Sequence, residues 1–184
     1  MQSLQGQLLI ASPHLPDPNF LRTVVLMVQH DDEGALGLVL TRPTELTMAA
    51  MWQEVAEEEI EDESPVFLGG PVQGPLMALH AYKAAGEIEV LPGVYFSSDK
   101  DHLETLVRQS IEPKRLFIGY SGWGQHQLEA EMDAGGWLLL PADAELVFTT
   151  DVDRLWKDVT SKIGSDIMRS TLHLKGMPTD PNLN

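Results

Sequence analysis

Short apolar runs alternate with glycine, proline and acidic turns along most of this chain, and the alternation predicts a set of strands with a few helices between them. Residues 7–11 read as a first strand. Residues 12–20 carry three prolines and Asp17, which predicts a turn-rich crossing. Residues 23–29, with VVLMV at their heart, are a continuous β-branched and apolar run suited to a central strand buried on both faces. Asp31-Asp32-Glu33-Gly34 signals a hairpin, and residues 35–40 return as the partner strand. Thr47 is placed to cap a helix through Val55, with Met48, Met51, Trp52 and Val55 at helical spacing.

Further on, residues 66–68 form a short strand before the turn Gly69-Gly70-Pro71. Residues 76–82, 87–91 and 94–96 are extended. Ser98 is expected to cap a helix over 99–109, with acidic residues in its first turn and Arg108 in its last. Residues 115–120 read as a strand, 125–132 as a helix and 136–140 as a further strand. A last helix starts at Asp151 or Asp153 and reaches Ile163, with Val152, Leu155, Trp156 and Val159 facing inward. Hairpins interspersed with helices predict an α+β fold with a mixed, mainly antiparallel sheet, for which a barrel-like closure is one arrangement. Residues 1–164 read as one compact domain or two tightly packed subdomains. Residues 165–184 read as a tail, Pro/Asn-rich and expected to be mobile over 177–184.

Composition narrows the function. With 43% hydrophobic residues, 184 residues suffice for a sizeable core. No apolar stretch reaches membrane-spanning length, and the N-terminal MQSLQGQLLIASPHLP lacks the basic region and long apolar run of a signal peptide. There are no cysteines, which excludes disulfides, thiolate metal sites and cysteine nucleophiles. A cytoplasmic setting is expected. The net charge of −16, from 12 basic and 28 acidic residues, works against DNA, which is bound by releasing counterions to Lys and Arg. No basic cluster offsets it.

Three separated segments carry a resemblance: residues 6–43, GQLLIASPHLPDPNFLRTVVLMVQHDDEGALGLVLTRP; residues 67–80, FLGGPVQGPLMALH; and residues 117–137, FIGYSGWGQHQLEAEMDAGGW. In this order and spacing they resemble the YqgE/AlgH family of small bacterial proteins, over residues 6–164. The chain departs from that family's usual residues at Thr41, where Asn is usual, and at His126, where Gly is usual. The resemblance implies little about function. The family is essentially uncharacterised, and the transcriptional-regulator label of some members has no visible chemical basis in these residues.

Recognisable catalytic sets are missing. Trp123 stands where a G-x-S-x-G elbow around Ser121 would need its second glycine, and Gly119, Gly122 and Gly124 are in the wrong order for a dinucleotide fingerprint. The six histidines make no H-E-x-x-H pattern. His30-Asp31-Asp32-Glu33 and the acidic run 57–63 read as solvated, and His80 as a hydrogen-bonded structural histidine. The loop residues Asp17, Asn19 and Arg22 could line a polar pocket or satisfy loop backbone. The stretch 119–124 reads as a Gly/aromatic turn between strand and helix. There the N–H groups of residues 122–125 would face a ligand with Trp123 as a wall, or the glycines would serve close packing, with Gln127, Glu129 and Glu131 solvent-facing or capping. The candidate ligand-binding set is therefore Asp17, Asn19, Arg22, Tyr120, Gly122, Trp123, Gly124 and Glu129, with no catalytic residue, metal or cofactor assigned. The expected function is a non-enzymatic binding or regulatory protein with a protein or small-molecule partner. An enzyme of unfamiliar type using Asp17, Arg22 and Glu129 is the alternative, ahead of a DNA-binding regulator. Oligomeric state is open.

Overall fold

The computed structural model describes residues 3–12, 15, 17–149 and 151–172. It opens with β1 (Gln7–Ala11), a 3-10 turn (Pro18–Phe20), and the hairpin of β2 (Val24–Asp31) and β3 (Gly34–Val39). Then come β4 (Pro43–Thr47), α1 (Met48–Ala56), β5 (Pro65–Leu68), β6 (Val72–His80), β7 (Ile88–Leu91) and β8 (Val94–Ser97). The rest is α2 (Lys100–Arg108), β9 (Lys114–Gly124), α3 (Gln127–Asp133), β10 (Trp137–Pro141), α4 (Ala144–Phe148) and α5 (Val152–Leu172).

The strands form one sheet in the order β10-β1-β2-β3-β9-β6-β8-β7, with β4 and β5 attached through β9. Every pairing is antiparallel except β5 with β9, so the fold is α+β with a mixed, mainly antiparallel sheet. The sheet curls without closing into a barrel. Gln5 Nε2 donates to the Glu89 carbonyl at 2.9 Å, but no ladder joins the edge strands β7 and β10.

Side-chain alternation sorts the core into three clusters. Val24, Leu26 and Val28 of β2 share the inner face with Leu8, Leu38 and Phe117, and with Leu155 and Val159 of α5. Their neighbours Val25 and Met27 face outward, under Phe20, Trp123 and Leu128. A third cluster seats α1 and α2 through Met51, Trp52, Leu103 and Leu106 against Val66 and Leu116. Thus β2 is buried on both faces, as its unbroken apolar run requires.

Several local expectations need correction. The cap of α2 is Asp99, which accepts from the N–H groups of Asp101 and His102, while Ser98 bonds the Glu87 carboxylate. The acidic run is largely solvated, with Glu57, Glu59, Glu61 and Glu63 exposed, but two of its carboxylates tie it to the fold. Glu58 meets Arg108 at 3.0 Å, and Asp62 meets the buried Lys114 Nζ at 2.9 Å. Strand β4 and helix α4 were not foreseen. Helix α5 runs past Gly164 to Leu172, and residues 177–184 lie outside the described residues.

Candidate functional site

The three signature segments do meet, and they meet backbone to backbone. Gly69 and Gly70, after β5, cross β9 at Gly119 and Tyr120. A Cβ added at Gly69 would stand 2.3 Å from the Gly119 carbonyl oxygen. Gly69 N–H donates to the Ile118 carbonyl, and the Gly69 carbonyl accepts from Val39 N–H and from the buried Ser121 hydroxyl. Gly119 itself adopts φ 68° at an irregularity in the β6–β9 register.

Residues 119–124 are therefore not a strand-to-helix turn. They are the second half of β9, with Gly122, Trp123 and Gly124 in register with Leu36, Ala35 and Gly34 of β3. The expected cradle of N–H groups over residues 122–125 does not form, and Gly124 N–H is taken by Gln127 Oε1 at 3.1 Å. Tyr120 is half-buried, and its ring lies close over Gly74 and Gly122, where a Cβ would meet it at about 3 Å. The chain enters α3 through His126 at φ 60°, the left-handed conformation that glycine adopts without strain.

Trp123 is a core residue. Its ring stacks on Phe20 at 6.0 Å and meets Trp137 edge-on at 5.9 Å. Glu131 Oε2 accepts from both indole N–H groups, at 3.0 Å from Trp123 and 2.8 Å from Trp137. Glu129 instead reaches His30, whose Nε2 lies 2.9 Å from Glu129 Oε1. Because His30 Nδ1 accepts from Leu4 N–H, Nε2 carries the proton and donates to the carboxylate. The Glu129 carboxyl lies below its ordinary pKa, chiefly through its own backbone N–H, with help from His30. Glu129 and Glu131 of α3 thus tie the helix to the fold, while Asp133 is exposed.

The loop residues form a separate group. Asp17 caps the 3-10 turn by accepting Asn19 N–H at 2.8 Å, and Asn19 is exposed. Arg22 adopts φ 55°, left-handed and costly for a side chain with a Cβ, by about 1–2 kcal/mol. Asp17 and Arg22 border a cleft of about 290 Å³ whose other walls include Leu15, Phe20, Leu21, Leu138 and Trp156. Leu21 is 72% exposed. Of the eight candidate residues, then, Asp17 and Arg22 share this cleft with Asn19 beside it. Tyr120, Gly122, Trp123 and Gly124 lie along β9, and Glu129 lies on α3 with His30.

His80 is a hydrogen-bonded structural histidine, as its place at the end of an apolar strand suggests, but its partner Ser97 carries no sequence signal. His80 and Ser97 are both fully buried, with His80 Nε2 2.9 Å from Ser97 Oγ. His80 Nδ1 accepts from Tyr82 N–H, so Nε2 donates to the serine, and the Ser97 hydroxyl in turn donates a hydrogen bond to the Ala85 carbonyl. That polarity is the reverse of a base activating a nucleophile. Desolvation, then the nearby His102, pulls the His80 pKa down to about 4. No sequence motif marks the pair, because the two residues come from the adjacent strands β6 and β8.

Comparison with known proteins agrees with this architecture. The family model described as AlgH-like matches residues 8–168. A UPF0301 protein of Chlorobaculum tepidum is 38% identical over 168 residues, 86% of this chain and 87% of that protein. A UPF0301 protein of Cytophaga hutchinsonii is 35% identical over 187 residues, covering 98% of each chain. The solution structure of the AlgH protein from Pseudomonas aeruginosa superposes with a TM-score of 0.77 at 30% identity, over 96% of this chain and 97% of that one.

Two outcomes follow from the geometry. Replacing Glu131 by Ala strands two indole N–H groups and should cost about 2 kcal/mol in urea unfolding, with a shift in tryptophan fluorescence. His80 should make stability fall with acid. The unfolded chain takes up this proton near pH 6.5 while the folded protein resists until about pH 4. Stability is therefore full above the unfolded value and drops by about 2 kcal/mol between pH 7 and pH 5. His80→Gln should be less stable at pH 7 yet show a flatter slope over that range.

Proposed function

The chain belongs to the AlgH-like family, and on that footing we propose that it is a non-enzymatic binding protein whose partner docks on the loop 17–23 over the Arg22 cleft. The observation that carries this reading is Arg22 itself. A left-handed arginine persists only where the surrounding structure holds it, and such strain collects at sites that contact ligands. Among the described residues Arg22 makes no ion pair, and the exposed Leu21 stands next to it. A mostly apolar cleft bordered by Asp17 and by Arg22, the latter without an ion pair among the described residues, suits a partner that offers an apolar side chain beside an acidic group.

The enzyme reading draws less support. Gly69, Gly70 and Gly119 are spent on a close crossing, Trp123 sits in a filled core, and the Ser97–His80 pair is sealed and wrongly polarised. Direct DNA binding is opposed by the net charge of −16. No helix of the described residues is long and apolar enough to cross a membrane. A cytoplasmic setting belongs to the same proposal.

A photo-crosslinking side chain placed at Leu21, in the source cells, tests this reading. We expect a defined adduct from that position and none from the exposed Lys83. Both Arg22→Gly and Leu138→Ser should remove it. Arg22→Gly should at the same time raise folding stability by about 1 kcal/mol, because glycine relieves the left-handed strain. No adduct at Leu21, or one indifferent to both substitutions, overturns the proposal.

A further inference from the structure

One cation is buried without a counter-charge. Arg115 lies two residues before Phe117 on β9 and so shares the inner, otherwise apolar face of the sheet. It is 7% exposed. Its guanidinium donates from Nη1 to the Leu40 carbonyl at 3.3 Å and sits 4.7 Å from the centre of the Phe67 ring. Among the described residues no carboxylate reaches it. The next residue shows what neutralisation looks like here, since buried Lys114 holds Asp62 at 2.9 Å and Glu112 at 2.7 Å. Burial alone pulls the Arg115 pKa down to about 10, with no neighbouring charge opposing it. Burying a charge without a counter-charge is costly; Nη1 makes the one bond of this guanidinium within the described residues, and because no side-chain nitrogen there is both sealed and unsatisfied, its other nitrogens keep contact with solvent.

A cavity of about 250 Å³ opens beside this group. Pro65, Phe67, Pro113 and Phe148 give it apolar walls. Glu112 also borders it, with its carboxylate committed to Lys114. The volume is that of roughly eight waters at ~30 Å³ each, the scale of a benzoate-sized acid rather than a nucleotide. The cavity shares no lining residue with the Arg22 cleft.

We propose that this cavity binds a small carboxylate carried on an apolar body, with Arg115 as the anion-binding group. The planar guanidinium can offer a carboxylate two parallel N–H bonds, and the apolar walls then cover the body of the ligand. The ligand supplies the charge that the chain leaves out, so binding and folding stability are linked.

Benzoate, its neutral isostere benzamide and inorganic phosphate test the proposal on the full chain. The readouts are the Arg115 Nε–Hε resonance by NMR and the thermal midpoint. Benzoate should shift both at concentrations up to about 20 mM, above the ~1 mM dissociation constant expected of so small a ligand. Benzamide should shift neither. Arg115→Met should fold at least as stably as the native chain, because an uncompensated buried charge is replaced by hydrocarbon, and should weaken benzoate binding at least about tenfold. An Arg115 resonance indifferent to benzoate overturns the site, as does an equal response to benzamide or undiminished binding by Arg115→Met. A response to phosphate without benzoate overturns the ligand class.

Discussion

The structure depends on one steric constraint: the backbone of Gly69-Gly70 must pass against the backbone of Gly119-Tyr120 with no side chain between them. On one side β9 runs along β6. On the other it pairs first with β5, at Phe117 and Ile118, and then with β3, from Ser121 to Gly124. The exchange of partners takes place at the glycine crossing. Three hydrogen bonds to Gly69 fix it, from its N–H to Ile118 and to its carbonyl from Val39 and Ser121. Through this joint the half of the sheet carrying α1 and α2 is continuous with the half carrying α3.

The crossing also explains where function can and cannot sit. Gly69, Gly70 and Gly119 are closed by other backbone, Gly122 lies beside the Tyr120 ring, and Phe20, Trp123 and Trp137 fill the space beneath the loop. The polar groups of α3 complete that packing, with Glu131 clamping two indoles and Glu129 holding His30. Openings remain elsewhere, among them the cleft under left-handed Arg22 and exposed Leu21 and the cavity beside buried, unneutralised Arg115.

Legibility followed the range of the forces. The β2–β3 hairpin, the two-sided burial of β2 and the Thr47 cap, which accepts Ala50 N–H, are local patterns, and they were readable. Strand β4 was not, because it begins with proline, has no apolar alternation and pairs only at an edge. Helix α4 has five residues, too few to show a period. The misreading of residues 119–124 has a physical cause: glycine spacing is the same whether backbone must bend or must pass close to other backbone. Ser98 and Asp99 are both good caps, and only the orientation of Glu87 decides between them. Of the candidate set, the grouping of Asp17 with Arg22 was accessible from one loop. The roles of Glu131, Ser97 and Arg115 depend on partners distant in sequence, and no spacing announces them.

Unfolding of Gly69→Ala, compared with Gly122→Ala, tests the central constraint most directly. At Gly122 an added methyl meets the edge of the Tyr120 ring at 3.0 Å, which can yield; at Gly69 it meets a carbonyl oxygen at 2.3 Å, which cannot without parting the strands. The account predicts a loss above about 3 kcal/mol, or failure to fold, for Gly69→Ala, and a much smaller loss for Gly122→Ala. Equal and small losses at both positions would contradict it, and would return the signature glycines to the role of a ligand-binding turn.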